Sequence, residues 1–179
     1  MATAFGAIFT STISETVTLN GAVRGNTNIV SIDNVNNVAE KIVSIPAGEG
    51  HPTIIGNFAN AANAAKYANY EYKYAKYCRV TNLSTDQNIE VAWVSNGMDD
   101  QCREPGKEAA ADSCRFLLKP GQTSIMWDTN KGKLGEATEP IPPASLTDLS
   151  YIWVYNPNLE ATEVVDVELF VASSNEDGA

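Results

Sequence analysis

Val165-Asp166-Val167-Glu168-Leu169-Phe170-Val171 decides the fold. In an extended chain successive side chains point to opposite faces. Val165, Val167, Leu169 and Val171 therefore share one side, and Asp166 and Glu168 take the other. A strand with one apolar and one wet face belongs to an antiparallel sheet packed on one side only. The same period of two runs through Ile89–Trp93 and Ile13–Leu19. Working outward, Asn28–Ile32, Val38–Ile45, Cys78–Leu83, Arg115–Leu118, Thr123–Trp127 and Tyr151–Tyr155 are rich in Val, Ile, Thr and aromatics. The expectation is an all-β, antiparallel β-sandwich of jelly-roll type, with about 8–10 strands and at most one short helix.

Turn chemistry separates the strands. Asn20-Gly21 ends an alternating run, and Pro120-Gly121 offers the fixed φ and the positive φ that a type II turn requires. The 17 asparagines fall largely at such joints. Asn82-Leu83-Ser84 matches a glycosylation sequon, but with no basic leader at the start of the sequence it reads as a turn. Tyr77–Ser84 followed by Ile89–Val94 resembles Tyr151–Asn158 followed by Val165–Phe170. Tyr77 aligns with Tyr151, Val80 with Val154 and Asn82 with Asn156. Two readings stay open: paired halves of a jelly roll, or two unrelated hairpins. Asn57–Ala68 is rich in alanine and reads as a short helix. Beyond it, Tyr67, Tyr70, Tyr74 and Tyr77 have helical spacing, whereas Tyr70, Tyr72 and Tyr74 have strand spacing. The organisation expected is an N-terminal arm over 1–12, one sandwich domain over 13–172 and a flexible acidic tail over 173–179.

Composition narrows function. The 179 residues hold 12 Lys plus Arg and 22 Asp plus Glu, a formal net charge of −10. A nucleic-acid ligand needs a basic face to displace counterions, and a polybasic membrane-surface protein needs one too; neither class fits. No apolar run reaches the roughly 18–20 residues of a bilayer span. The only histidine, His51, sits in a Gly- and Pro-flanked loop, which is no setting for a catalytic triad. Cys78, Cys102 and Cys114 lack the close soft-ligand spacing of zinc. Cys102 and Cys114 bracket one loop, although free thiols are the favoured reading. Asp99, Asp100 and Glu104, and Asp128 with Asn130 and Gly132, read as solvated acidic loops rather than calcium sites. The sequence therefore assigns no catalytic residue, cofactor or metal.

The tyrosines and tryptophans remain. Tyr77–Ser84 with Ile89–Trp93, Phe116–Trp127 and the closing hairpin with Val165–Val171 resemble small β-sandwich structural proteins of tailed bacteriophage virions, such as head decoration (cement) proteins and some tail components. The resemblance spans about residues 77–172. It implies a non-enzymatic virion protein, assembled in the host cytoplasm. Its partners would be the major capsid protein or other virion subunits, and copies of itself in a homo-oligomer. Phe5, Ile8 and Phe9 of the arm and the Tyr70, Tyr72 and Tyr74 face are the expected protein contacts. Rival expectations are a carbohydrate- or receptor-binding module with Trp127 and Trp153 exposed, a tail or minor coat subunit, and a hydrolase.

Overall fold

Ten strands form in chain order: β1 (Ala7–Leu19), β2 (Ala22–Val35), β3 (Asn37–Ile45), β4 (Thr53–Asn57), β5 (Ala75–Asn82), β6 (Ile89–Ser95), β7 (Ser113–Leu118), β8 (Thr123–Trp127), β9 (Leu149–Tyr155) and β10 (Val165–Ser173). They come from a computed structural model that describes residues 7–47, 52–58, 75–95, 113–127, 149–158 and 163–173. The nine strands read from the sequence are all present, several of them longer. The tenth, β4, was missed because Thr53-Ile54-Ile55-Gly56-Asn57 is short, unalternating and interrupted by glycine. No helix occurs among the described residues, and the expected helix over 57–68 lies almost wholly outside them.

Every paired strand is antiparallel. β3-β10-β5-β8 form one four-stranded sheet and β4-β9-β6-β7 the other, while β1 and β2 pair only with each other. The inner faces of the two four-stranded sheets make the main core. Val80, Val167, Leu169 and Val171 come from one sheet, and Ile89, Val91, Trp93, Ile152 and Val154 from the other. Trp93 donates its indole N–H across the sandwich to the Ser124 hydroxyl at 3.3 Å. The alternation at Val165–Val171 appears as read, with the four aliphatic residues buried and Asp166 exposed. β5 and β9, central in their sheets, bury both faces, which is why Tyr151–Val154 shows no alternation.

The two similar sequence segments are structurally equivalent. Substituting β9, β10, β3 and β4 for β5, β6, β7 and β8 turns the order β3-β10-β5-β8 into β7-β6-β9-β4, which is the second sheet read backwards. The halves are thus related by an internal pseudo-twofold, as two Greek keys of a jelly roll are. Asn82 and Asn156 occupy equivalent sites at the ends of β5 and β9, both fully buried. The Asn82 amide donates to the carbonyls of Gln87 at 2.8 Å and Leu118 at 3.0 Å, and its oxygen accepts the Ser84 N–H at 3.0 Å. The Asn156 amide donates to the carbonyls of Glu163 at 3.0 Å and Ile45 at 3.4 Å, and its oxygen accepts the Asn158 N–H at 3.2 Å. Leu118 ends β7 and Ile45 ends β3, which are themselves equivalent strands. Since Asn82 is buried and saturated, the sequon is a turn, as read. Gly121 has φ +69°, and Gln122 donates its N–H to the Lys119 carbonyl at 3.0 Å, so Pro120-Gly121 makes the expected type II turn.

Removing either asparagine strands one buried carbonyl, one part-buried carbonyl and a backbone N–H. Asn82→Ala and Asn156→Ala should each lower unfolding free energy by roughly 2–4 kcal/mol, as read by chemical denaturation. Equal stability in either variant would show that the junction is not held by these side chains.

Candidate functional site

β1 and β2 are joined at Asn20-Gly21, where φ values of +50° and +80° make a type I′ turn. Strands of 13 and 14 residues make a ribbon roughly 40 Å long, at about 3.3 Å per residue. The expected boundary of a free arm at residue 12 falls inside β1: Ala7 to Thr12 pair with β2 in the same ladder as Leu19.

The base of the ribbon lies on the outer face of β3-β10-β5-β8. Phe9, Val30 and Ile32 pack there with Tyr77, Phe170, Ile125 and Ala172. The Phe9 ring stands 4.7 Å from the Tyr77 ring and 5.6 Å from that of Phe170. Ser11 and Tyr77 share a hydroxyl–hydroxyl hydrogen bond of 3.3 Å, Lys76 donates to the Asp33 carbonyl at 3.4 Å, and the Asn36 N–H bonds the Ser173 carbonyl at 3.0 Å. Phe9, one of the expected partner contacts, thus turns onto its own molecule, while Ile8 stays exposed. Phe5, Tyr70, Tyr72 and Tyr74 lie outside the described residues.

Beyond this base the ribbon leaves the body. Residues 14–29 are exposed throughout. The register assigns their faces. Phe9 opposite Ile32 and Ser11 opposite Val30 face the body, and the same face continues with Ile13 opposite Asn28, Glu15 opposite Asn26, Val17 opposite Arg24 and Leu19 opposite Ala22. The other face carries Thr10, Thr12, Ser14, Thr16 and Thr18 with Ser31, Ile29, Thr27, Gly25 and Val23. The body-facing side therefore carries Val17 and Leu19 out past the body, where they are 59% and 64% exposed. Gly25 is required by close approach of the strands, because a Cβ there would run into the Glu15 carbonyl oxygen. The signal for this element was present in Ile13–Leu19 and Asn20-Gly21, but its projection was not, since alternation looks alike in a sheet and in a free ribbon.

Much of the outer face beside the base of the ribbon is polar and charged. Glu40 on β3, Glu168 on β10 and Arg79 on β5 lie side by side. Arg79 pairs with Glu168 at 2.9 Å and stands 5.1 Å over the Phe170 ring. Asp166 accepts the Ser44 hydroxyl at 2.6 Å. Hydrogen bonding to Glu168 and the negative charge of that neighbour raise the Glu40 carboxyl above its ordinary range. For Glu168, burial acts upward, but the hydrogen bond from Glu40, the charge of Arg79 and hydrogen bonds from Thr81 and Arg79 outweigh it and hold it low. On the same sheet edge Val38 and Ile42 are exposed.

On the opposite outer face, Ala92, Val94, Tyr151 and Trp153 form a buried cluster. Arg115 stacks over Trp153 at 5.2 Å and pairs with Glu90. Trp153 and Trp93 are closed to solvent, so the exposed Trp153 of the sugar-binding expectation is corrected; among the described tryptophans only Trp127, 38% exposed, offers a ring to solvent. Cys78 is a free thiol, and burial pushes it far above the ordinary thiol range, so it is unreactive in the folded chain. His51, Cys102, Asp99, Asp100, Glu104 and Asp128 lie outside the described residues. Among the described residues no three His, Cys, Asp or Glu side chains converge on a point where a metal ion would sit.

The Glu40–Glu168 pair has a signed pH dependence. A carboxyl raised on folding stabilises below its unfolded pKa, and that stability is lost as pH rises through the folded value. Glu168, held low, contributes above its unfolded pKa and loses that contribution as pH falls. Glu40→Gln keeps Glu40 permanently neutral. It should raise the thermal midpoint modestly at pH 7–8 and leave it unchanged near pH 4, where Glu40 is already protonated. Equal midpoints across this range would show that the two carboxylates do not interact. No protein-family model matches the chain, and no curated protein matches it.

Proposed function

We propose that this chain is a non-enzymatic structural protein of a virion, most simply a decoration protein that grips the outer shell through repeated surface contacts as an oligomer. One observation carries the reading: a long two-stranded ribbon projects from a packed sandwich with its body-side apolar residues uncovered. An isolated two-stranded ribbon is marginal in water, so its exposed length is built to be covered by a partner. The jelly-roll order of the two sheets supports the reading by analogy, because viral shell domains use it, although lectin domains use it too. A net charge of −10 suits a place on the outside of a shell, away from packaged nucleic acid.

The physical basis is multivalency. A shell presents the same site many times, so an oligomer that engages several sites gains effective concentration without strong single contacts. Binding only the mature shell would stabilise it by mass action. A coat-subunit role is the second reading, and the paired-half jelly roll favours it. The glycan-binding reading keeps Trp127 as its exposed ring, with Trp153 buried.

Quantitative mass spectrometry of purified particles should find this chain in a simple, fixed ratio to the major shell protein. Its absence from particles would overturn the reading. Assembly of the purified chain alone into closed shells would move it from decoration to coat, and a few copies per particle would move it to the tail.

A further inference from the structure

We propose that the overhanging part of the β1–β2 ribbon docks on the outer face of the β3-β10-β5-β8 sheet of a second copy of this chain, with Val17 and Leu19 laid on Val38 and Ile42, and Arg24 set against Glu40. The inference deepens the adhesive reading and rests on it in taking surface contact as the chain's work.

Three observations select a second copy as the occupant. The first is continuity. The ribbon's body-facing side already packs on this sheet face within the molecule, through Phe9 on Tyr77 and Phe170, and the same side runs on uncovered to Leu19. The second is the receiving surface. Beside that packed zone the same sheet face exposes Val38 at 52% and Ile42 at 64%, both on the edge strand β3. In the register Val38, Glu40 and Ile42 share one side, so a carboxylate lies between two apolar side chains.

The third is charge. Residues 7–35 hold one cation, Arg24, and two anions, Glu15 and Asp33, a net of 1 − 2 = −1, which leaves −10 − (−1) = −9 on the rest of the chain. Two such bodies repel. The ribbon is the near-neutral part that can approach a second copy, and Arg24 lies directly opposite Val17 on the docking side. The receiving face carries Glu40, Glu168 and Asp166 against Arg79, and Arg79 is already paired with Glu168. Arg24 thus meets an excess of negative charge.

Size decides the symmetry. About eight residues of overhang, at about 3.3 Å each and two strands wide at about 4.8 Å spacing, cover roughly 250 Å². Counting both partners, one ribbon buries about 500 Å², short of the about 1,000 Å² of a stable interface. Reciprocal exchange of two ribbons reaches it, so the expected assembly is a closed twofold dimer with self-complementary surfaces.

Sedimentation equilibrium of the full chain tests this. The wild type should be a dimer. Arg24→Glu and Glu40→Lys should each weaken dimerisation on the order of tenfold or more, because each sets like charges face to face. The double variant should recover most of the affinity, and circular dichroism should show all three variants folded, since both residues are exposed. A monomeric wild type, unchanged affinity in the single variants, or a double variant no tighter than either single would overturn the proposal. A wild-type monomer that still coats shells would overturn it while leaving the adhesive reading in place, and would assign the ribbon to the shell protein instead.

Discussion

Two buried asparagines hold the sandwich together at the points where the chain leaves one sheet for the other. A strand that ends at a sandwich edge exposes backbone groups its ladder no longer serves, and buried backbone groups without partners are costly. Asn82 and Asn156 serve them with one amide each: the nitrogen reaches two carbonyls on neighbouring turns and the oxygen caps the residue two positions on. Both crossings, which lie at the same end of the sandwich, are closed by the same device because the two halves of the chain repeat one topology. Apolar residues alone cannot do this. Valine at either site would fill the space and leave every one of those groups unpaired.

The ribbon answers to a different constraint. Its first third is fixed by aromatic packing, where Phe9, Tyr77 and Phe170 meet within 6.0 Å, and Arg79 closes over Phe170. Its outer part has only its own ladder and a tight turn. Threonine and serine on the side away from the body favour the extended chain without inviting edge-to-edge pairing in the way an aliphatic face would. Exposed apolar residues lie on both sides of this outer part, Val17 and Leu19 on the side that faces the body and Val23 and Ile29 on the other.

Much of this was legible in the sequence, and the parts that were not share a cause. Alternation at Val165–Val171, the turn at Pro120-Gly121 and the likeness of Tyr77–Ser84 to Tyr151–Asn158 all report local backbone geometry, which residue type controls directly. Phe170 sits on the polar side of β10, where the base of the ribbon covers it. β4 was missed because five residues, one of them glycine, carry too little pattern. Trp153, expected exposed on a sugar-binding module, is buried because burial of a sheet's second face is decided by distant segments, which periodicity does not see. Glu40 and Glu168 lie 128 positions apart in the chain and meet only through the register of β3 against β10.

The distribution of charge links fold to function. A surface with 22 acids and 12 bases resists collapse onto itself and onto copies of itself, and screening by salt relaxes that resistance only beyond about 8–10 Å. Contacts made at the body would therefore work against the field of the whole molecule. A contact made through a ribbon whose net charge is close to zero, and roughly 40 Å long, would separate the proposed adhesive surface from the bulk of the repulsion. The acidic body then acts as a specificity device. It tolerates partners approached through the ribbon and disfavours random association elsewhere, as the proposed adhesive role requires.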